Sequence, residues 1–153
     1  MQLELHLKRK LLDHCFVFVN TSITGLKMAI DDAQEGANSE TKGSAGDKHE
    51  TGRAMMHLEN EMNSKQLAER LKLLQVLELI NPDEKHGIAQ LGSLVKTTLG
   101  TYYLSIGIGK VEIEGNAFLI ISPSSPIGAL LMKTRKGSEI TFNGKSILVE
   151  EVI

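Results

Sequence analysis

Residues 5–30 read LHLKRKLLDHCFVFVNTSITGLKMAI, and this stretch decides the fold. Its apolar residues recur in two series of seven-residue spacing, offset by four positions. The series are Leu5, Leu12, Val19 and Leu26, then Phe16, Ile23 and Ile30. Alternating steps of four and three are typical of a coiled-coil seam, because they keep one stripe of a helix facing a partner helix. The spacing therefore predicts a long helix that buries a single seam.

A second helical pattern follows after a polar interval. The first pattern ends in residues 31–35, and residues 36–52 are rich in Gly, Ser, Thr and charged side chains. Helical spacing returns at residues 55–62 and continues to residue 74. We therefore expect an antiparallel α-helical coiled-coil hairpin from about residue 5 to residue 80, with its turn between Gly36 and Gly52. Two helices of roughly 28 residues would form a rod about 40 Å long.

The remaining residues carry a β pattern, rich in Val, Ile, Thr and Gly. The β-rich runs are 93–98, 101–108, 110–114, 117–121, 139–142 and 145–152. Asn143-Gly144 predicts a two-residue hairpin turn, and Pro126 predicts the first turn of a short helix over residues 125–131. The chain is thus predicted to be α+β. Residues 1–80 form a coiled-coil finger and residues 83–153 a small antiparallel β domain with one short helix, separated by a helix stop at Asn81-Pro82-Asp83.

The charge and cysteine content of the chain argue against some classes of function. The 153 residues carry a formal net charge of -2 and a pI near 6.2, which argues against a protein that binds nucleic acid through bulk positive charge. Cys15 is the single cysteine, so no internal disulfide can form, and a reducing compartment is expected. No signal-peptide core or long apolar run is present. The sequence predicts a soluble, cytoplasmic protein.

The polar interval carries four carboxylates, those of Glu35, Glu40, Asp47 and Glu50. Carboxylates are hard oxygen ligands suited to Mg²⁺, and a bound ion can activate a water molecule for attack. Two acids on a turn have no substrate pocket of their own, so they would complete a partner's site. The alternative is that Asp47 or Glu50 only caps the following helix.

Four segments resemble the Gre family of transcript-cleavage factors. Residues 29–35, Ala-Ile-Asp-Asp-Ala-Gln-Glu, look like the end of the family's first helix. Residues 46–50, Gly-Asp-Lys-His-Glu, are similar to the family's tip motif, Gly-Asp-x-x-Glu. Residues 121–131, Ile-Ser-Pro-Ser-Ser-Pro-Ile-Gly-Ala-Leu-Leu, resemble its Ser-Pro-x-(Ala/Gly)-x-x-(Leu/Ile)-(Leu/Ile) segment. Residues 136–140, Lys-Gly-Ser-Glu-Ile, resemble the strand that follows it. The resemblance covers nearly the whole chain in order and length.

This resemblance implies a coiled-coil finger joined to an FKBP-like domain. The FKBP-like domain, residues 83–153, would dock on RNA polymerase at the rim of its secondary channel, and the finger would enter the channel. Asp47 and Glu50 fall on the family's paired acids, which support Mg²⁺-dependent cleavage of backtracked RNA at its 3′ end by the polymerase itself. The protein would be no enzyme, have no cofactor of its own and act as a monomer. The implied docking segment comprises Ser122, Pro123, Ser124, Ser125, Pro126 and Ile127.

The tip departs from the family pattern in two ways. Its turn is about ten residues longer in this chain, so Glu40 offers a competing alignment to the same acids. The family's Asn-Ala-Glu after the second acid is replaced by Thr51-Gly52-Arg53, which reverses a charge. Arg53 and Lys48 are therefore candidate RNA contacts, and a channel-occupying inhibitor without cleavage activity is an alternative function.

Two further readings stay open at this point. An FKBP-type isomerase needs an aromatic-lined pocket, for which the second half supplies only Tyr102, Tyr103, Phe118 and Phe142. A plain coiled-coil interaction module would use residues 36–52 as a linker. The basic run Lys8-Arg9-Lys10 is interpreted as a solvated helix end.

Overall fold

Two long helices open the chain. The computed structural model describes residues 2–40 and 46–153, with side chains for residues 4–36 and 50–153. Helix α1 spans Gln2–Glu40 and helix α2 spans Gly46–Glu78. The helices were thus predicted correctly, but the predicted turn was too long, because residues 36–40 and 46–52 are helical. Gly disfavours a helix interior by about 1 kcal/mol relative to Ala, and Ser and Thr do so by less, so the composition of residues 36–40 and 46–52 predicted a turn although these residues are helical.

Gly36 of α1 lies close to Met56 of α2. A Cβ atom placed on Gly36 would lie 3.1 Å from Cε of Met56. A larger side chain at residue 36 would therefore press on the Met56 side chain of α2. Further back along α1, Val19 and Ile23 are buried, as expected for members of the predicted seam.

Six strands and one short helix complete the chain. They are β1 Leu94–Thr97, β2 Thr101–Leu104, β3 Gly109–Ile113, β4 Asn116–Ile121, α3 Pro126–Leu131, β5 Glu139–Phe142 and β6 Lys145–Val152. The α+β class is therefore confirmed. The strand order is β3-β4-β2-β1-β6-β5. The prediction of a purely antiparallel sheet was wrong, because β2 and β4 pair in parallel, with Tyr102 opposite Leu119.

The sheet register follows from local sequence at one turn and from side-chain alternation in the core. Asn143 and Gly144 both have positive φ angles, 51° and 76°, as a two-residue hairpin turn requires. They join β5 to β6, in which Phe142 faces Lys145. The core of the sheet is formed by Ala89, Val95, Tyr102, Leu104, Leu131 and Val149.

Contacts divide the chain into two compact units. The first, the sheet unit, contains residues 1–16 and 75–153, and the second, the helical unit, contains residues 17–74. The sheet unit therefore includes the first turns of α1 and the last turn of α2. The sequence, in contrast, predicts the domain boundary at residues 81–83. In the sheet unit, Leu7 and Leu11 of α1 and Leu77 of α2 are buried.

Candidate functional site

The predicted tip residues fall at the facing ends of the two long helices. Glu40 is the last residue of α1, and Asp47 and Lys48 lie in the first turn of α2. The side chains of these three residues lie outside the described part of the structure. Their backbone placement nevertheless positions Asp47, Lys48 and Glu50 within about one helical turn of each other.

Glu35 of α1 is exposed to solvent, and so are Glu50 and Arg53 of α2. Glu50 and Arg53 are three positions apart on α2, so they project from neighbouring points of its surface. A carboxylate and a guanidinium thus stand close together near the start of α2. Such a pair presents one oxygen ligand and one phosphate-binding group to a partner.

The predicted docking segment is a tight, hydrogen-bonded turn that starts α3. The backbone oxygen of Ser122 accepts hydrogen bonds from the backbone N–H of Ser125 at 3.0 Å and from its hydroxyl at 2.7 Å. The Ser125 hydroxyl oxygen in turn accepts a hydrogen bond from the backbone N–H of Gly128 at 3.1 Å. Ser125 is thus the N-cap of α3, with Pro126 in the first turn. This geometry explains why Ser and Pro stand at these positions.

Exposure separates the surface members of the segment from its structural members. Ser124 and Pro126 are exposed, whereas Ser122, Pro123, Ser125 and Ile127 are half-buried. Ile127 packs against the core of the sheet unit. Residue 128 has to be glycine in this backbone, because a Cβ atom there would lie 2.0 Å from the backbone oxygen of Ser122. Ser124 and Pro126 are therefore the members most available to a partner.

Lys8 is a buried residue that the sequence interpretation placed wrongly. Its side chain has no exposed surface, and Nζ donates hydrogen bonds to the backbone oxygens of Glu84 at 2.7 Å and Ile153 at 3.1 Å. Burial lowers the pKa of Lys8 to about 8, while the Glu84 carboxylate raises it. The predicted seam did not identify this residue, since counting back from Val19 through Phe16 and Leu12 reaches the exposed Arg9 and not Lys8.

The neighbours of Lys8 in the basic run form ion pairs within the sheet unit. Arg9 pairs with Asp83, and Lys10 pairs with Glu114 at 2.6 Å. His6 also contacts Glu114, at 3.1 Å, and the hydrogen bonds from Lys10 and His6 lower the pKa of that carboxyl. The interpretation of this run as a solvated helix end was therefore wrong for Lys8. Arg9 and Lys10 are exposed but make intramolecular contacts.

The aromatic residues of the sheet unit are mostly core residues. Tyr102, Tyr103 and Phe118 are buried, and Phe142 is half-buried. Phe118 also lines a shallow cavity of about 280 Å³ that it shares with Leu99, Gly100, Thr101, Lys110, Ala117 and Leu119. Phe118 is the one aromatic residue in this lining.

The described residues, 2–40 and 46–153, also bear on metal ligation and membrane insertion. In the part of the chain whose side chains are described, residues 4–36 and 50–153, no cluster of three or more His, Cys, Asp or Glu side chains is arranged to hold a metal ion. None of its helices combines the length and the hydropathy needed to cross a bilayer. Comparisons with protein-family models, with curated proteins and with solved structures found no match to this chain.

Proposed function

We propose that this protein is a Gre-like transcription elongation regulator that binds RNA polymerase at its secondary channel and stimulates cleavage of backtracked RNA. The observation that carries the proposal is the order of elements. Two long helices, with acidic residues at the end of α1 and the start of α2, are followed by an α+β unit with an exposed Ser-Pro turn. The resemblance of residues 46–50 and 121–131 to the Gre motifs supports a role in transcription for this arrangement.

In this proposal, α1 and α2 form an antiparallel coiled-coil finger. The part of α1 in the helical unit, residues 17–40, spans about 36 Å at 1.5 Å per residue. A finger of this length can carry acidic side chains into a deep channel. The sheet unit, with its short helix and largely antiparallel sheet, would be the FKBP-like docking domain.

The chemistry at the finger tip would belong to the polymerase. Asp47 and Glu50 would add carboxylate ligands to a Mg²⁺ ion in the polymerase active site, where the ion lowers the pKa of a bound water. Since Mg²⁺ keeps several waters and needs further ligands, the two acids bind it only when polymerase and RNA supply the others. Arg53 and Lys48 would neutralise phosphate charge on the backtracked RNA.

Docking would use the turn before α3. Ser124 and Pro126 are exposed there on a rigid, capped turn, so a partner can bind them at little cost in conformational entropy. The protein would act in the cytoplasm as a monomer, without membrane attachment.

A second candidate function is inhibition by occupying the channel. The exposed Arg53 favours it, because a cation three residues from Glu50 offsets the negative charge that metal binding needs. The finger would then exclude nucleotides or backtracked RNA without supplying a metal ligand.

Binding to core RNA polymerase of the source organism tests the shared part of both proposals. Labelled protein is titrated with polymerase, with and without a known secondary-channel ligand as competitor. Saturable binding that the competitor displaces supports a channel regulator. Failure to bind, or binding that the competitor leaves unchanged, contradicts both candidates.

A further inference from the structure

The seam of α2 in the helical unit contains polar side chains. Between residues 50 and 72, the residues that are not exposed recur in steps of four and three, as in a coiled coil. A Cβ atom on Gly36 of α1 would lie 3.1 Å from Cε of one of them, Met56, so this seam faces α1. Its members are Gly52, Met56, Asn60, Asn63, Leu67 and Arg70. Asn and Arg thus stand at positions where a coiled coil ordinarily carries apolar side chains.

Two polar atoms of this seam are shielded from solvent without a hydrogen-bond partner. They are Oδ1 of Asn60 and Nε of Arg70, and neither has a partner among the described residues. An unpaired polar atom disfavours the packed state by a factor of about 5 to 150 in the equilibrium constant. The seam is therefore weakened at two points about 15 Å apart along α2.

The helical unit buries little that offsets this cost. Among its side chains described in residues 17–36 and 50–74, only those of Val19 and Ile23 are buried. The sheet unit, in contrast, has a core in which side chains such as that of Leu104 have no exposed surface. Segments with few buried apolar contacts open at a lower free energy than segments with a full core. The part of the helical unit beyond Ile23 is therefore the first candidate for opening.

We propose that residues 24–36 of α1 and 50–74 of α2 separate reversibly while the sheet unit stays folded, and that Asn60 and Arg70 set this equilibrium. Opening transfers the two shielded polar atoms to water, where both form hydrogen bonds. A partner that binds both helices has to close them, so its apparent affinity falls as the open fraction grows. The inference rests on the seam of α2 and does not depend on the proposed polymerase function.

Amide hydrogen exchange of the full chain tests whether the two units open separately. Exchange of the ¹⁵N-labelled protein is followed by NMR under conditions in which each rate reports the opening equilibrium. In the sheet unit, the amides of Leu104 and Val149 are hydrogen-bonded between segments and serve as the reference. We expect the amides of residues 53–66 to have protection factors at least about tenfold lower than theirs. Equal protection would show that the units unfold together, which overturns the proposal.

A matched pair of substitutions tests the role of the seam. Asn60→Leu removes the shielded polar atom and nearly keeps the side-chain shape, so exchange in residues 53–66 should slow by at least about tenfold. Asn20→Leu makes the same change at an exposed position of α1 in the helical unit. There only the helix propensity changes, so the expected slowing is about twofold. Equal slowing by both variants overturns the assignment to the seam.

Arg70→Met tests the second point of the seam independently of the first. It removes the shielded Nε atom and keeps an unbranched side chain, so it should also slow exchange in residues 53–66 while that of Leu104 stays unchanged. Since the two sites are about 15 Å apart, their effects should add. Exchange that stays at the parent rate in Arg70→Met, or that slows equally in both units, overturns the proposal.

Discussion

The ammonium nitrogen of Lys8 lies 2.7 Å from the backbone oxygen of Glu84, and the lysine side chain is completely buried. The contact ties α1 to the segment that follows α2, within the sheet unit. His86 lies beside it, with its Nδ1 atom 2.6 Å from the Ser93 hydroxyl oxygen. Burial, reinforced by the charge of Lys8, lowers the pKa of His86.

The buried lysine predicts a pH dependence of stability. The pKa of Lys8 is about 8 in the folded protein, whereas the ordinary value for a lysine is 10.5. Between these values the unfolded chain binds more protons, so the free energy of unfolding should rise with pH. Below about pH 8 both states hold the proton, and the cost of desolvating the charge is fully present. The whole effect amounts to about 3 kcal/mol.

Lys8→Met isolates this contribution from other titrating groups. The pKa values of Cys15 and Tyr103 are raised by burial, so their effect on stability runs in the opposite direction at high pH. Urea unfolding of both proteins at pH 7.5 and 9.5 should show the variant losing about 2 kcal/mol relative to the parent between the two values. An unchanged difference would mean that Lys8 keeps an ordinary pKa.

Replacing glycine by alanine should have opposite effects on stability at two positions. Gly25 lies inside α1 with no atom near the Cβ position, so Gly25→Ala should stabilise the protein by about 0.5–1 kcal/mol. Gly128→Ala would press a methyl group on the backbone oxygen of Ser122, 2.0 Å away, and should destabilise it by about 1–3 kcal/mol. Unfolding followed by circular dichroism measures both, and a neutral Gly128→Ala would show that the turn before α3 can relax.

A substitution in the proposed docking turn should weaken polymerase binding without disturbing the fold. Ser124 is exposed, and it is hydrogen-bonded to the Ser122 hydroxyl through its own hydroxyl at 2.8 Å and through its backbone N–H at 3.2 Å. The backbone contact does not need the Ser124 side chain, so Ser124→Asp should leave stability within about 0.5 kcal/mol of the parent. It should weaken polymerase binding by about tenfold or more, because it places a charge in the proposed contact. Ser125 is a poorer test, since it caps α3. Ser146→Asp, at an exposed Ser of β6, is the control, and an equal effect of both would misplace the contact.

Neutralising the tip acids should abolish RNA cleavage without loss of polymerase binding. Asp47→Asn and Glu50→Gln keep size and polarity but remove charge, so each should fold normally and bind polymerase yet abolish most RNA cleavage. Glu69→Gln, at an exposed acid about five turns along α2, should leave cleavage unchanged. Glu40→Gln decides the alignment. A requirement for Glu40 but not Asp47 would assign the tip to the end of α1.

Local sequence signals predicted most of the elements. The bounds of β5 and β6 were predicted to the residue, because Asn143-Gly144 fixes the turn between two alternating runs. The short helix was predicted from Pro126 in its first turn, and the structure adds its cap, Ser125. Each of these signals acts within a few residues, so it can be interpreted without the tertiary structure.

Features that depend on distant contacts were missed. The parallel pairing of β2 with β4 places β3 at the sheet edge, and no local pattern encodes which strands become neighbours. The burial of Lys8 depends on backbone oxygens 76 and 145 positions away. At the tip, residues 36–40 and 46–52 are helical, although their composition is typical of a turn.

Transcript cleavage in halted elongation complexes tests the central claim most directly. Backtracked complexes of the source organism's RNA polymerase, with RNA labelled at its 5′ end, are incubated with Mg²⁺ and the protein, and shortened transcripts are followed over time. The account predicts that the parent accelerates cleavage and that Glu50→Gln binds the complex without accelerating it. Cleavage at the rate of polymerase alone, with the parent protein bound, would contradict the claim of stimulation. It would leave channel occupancy as the function.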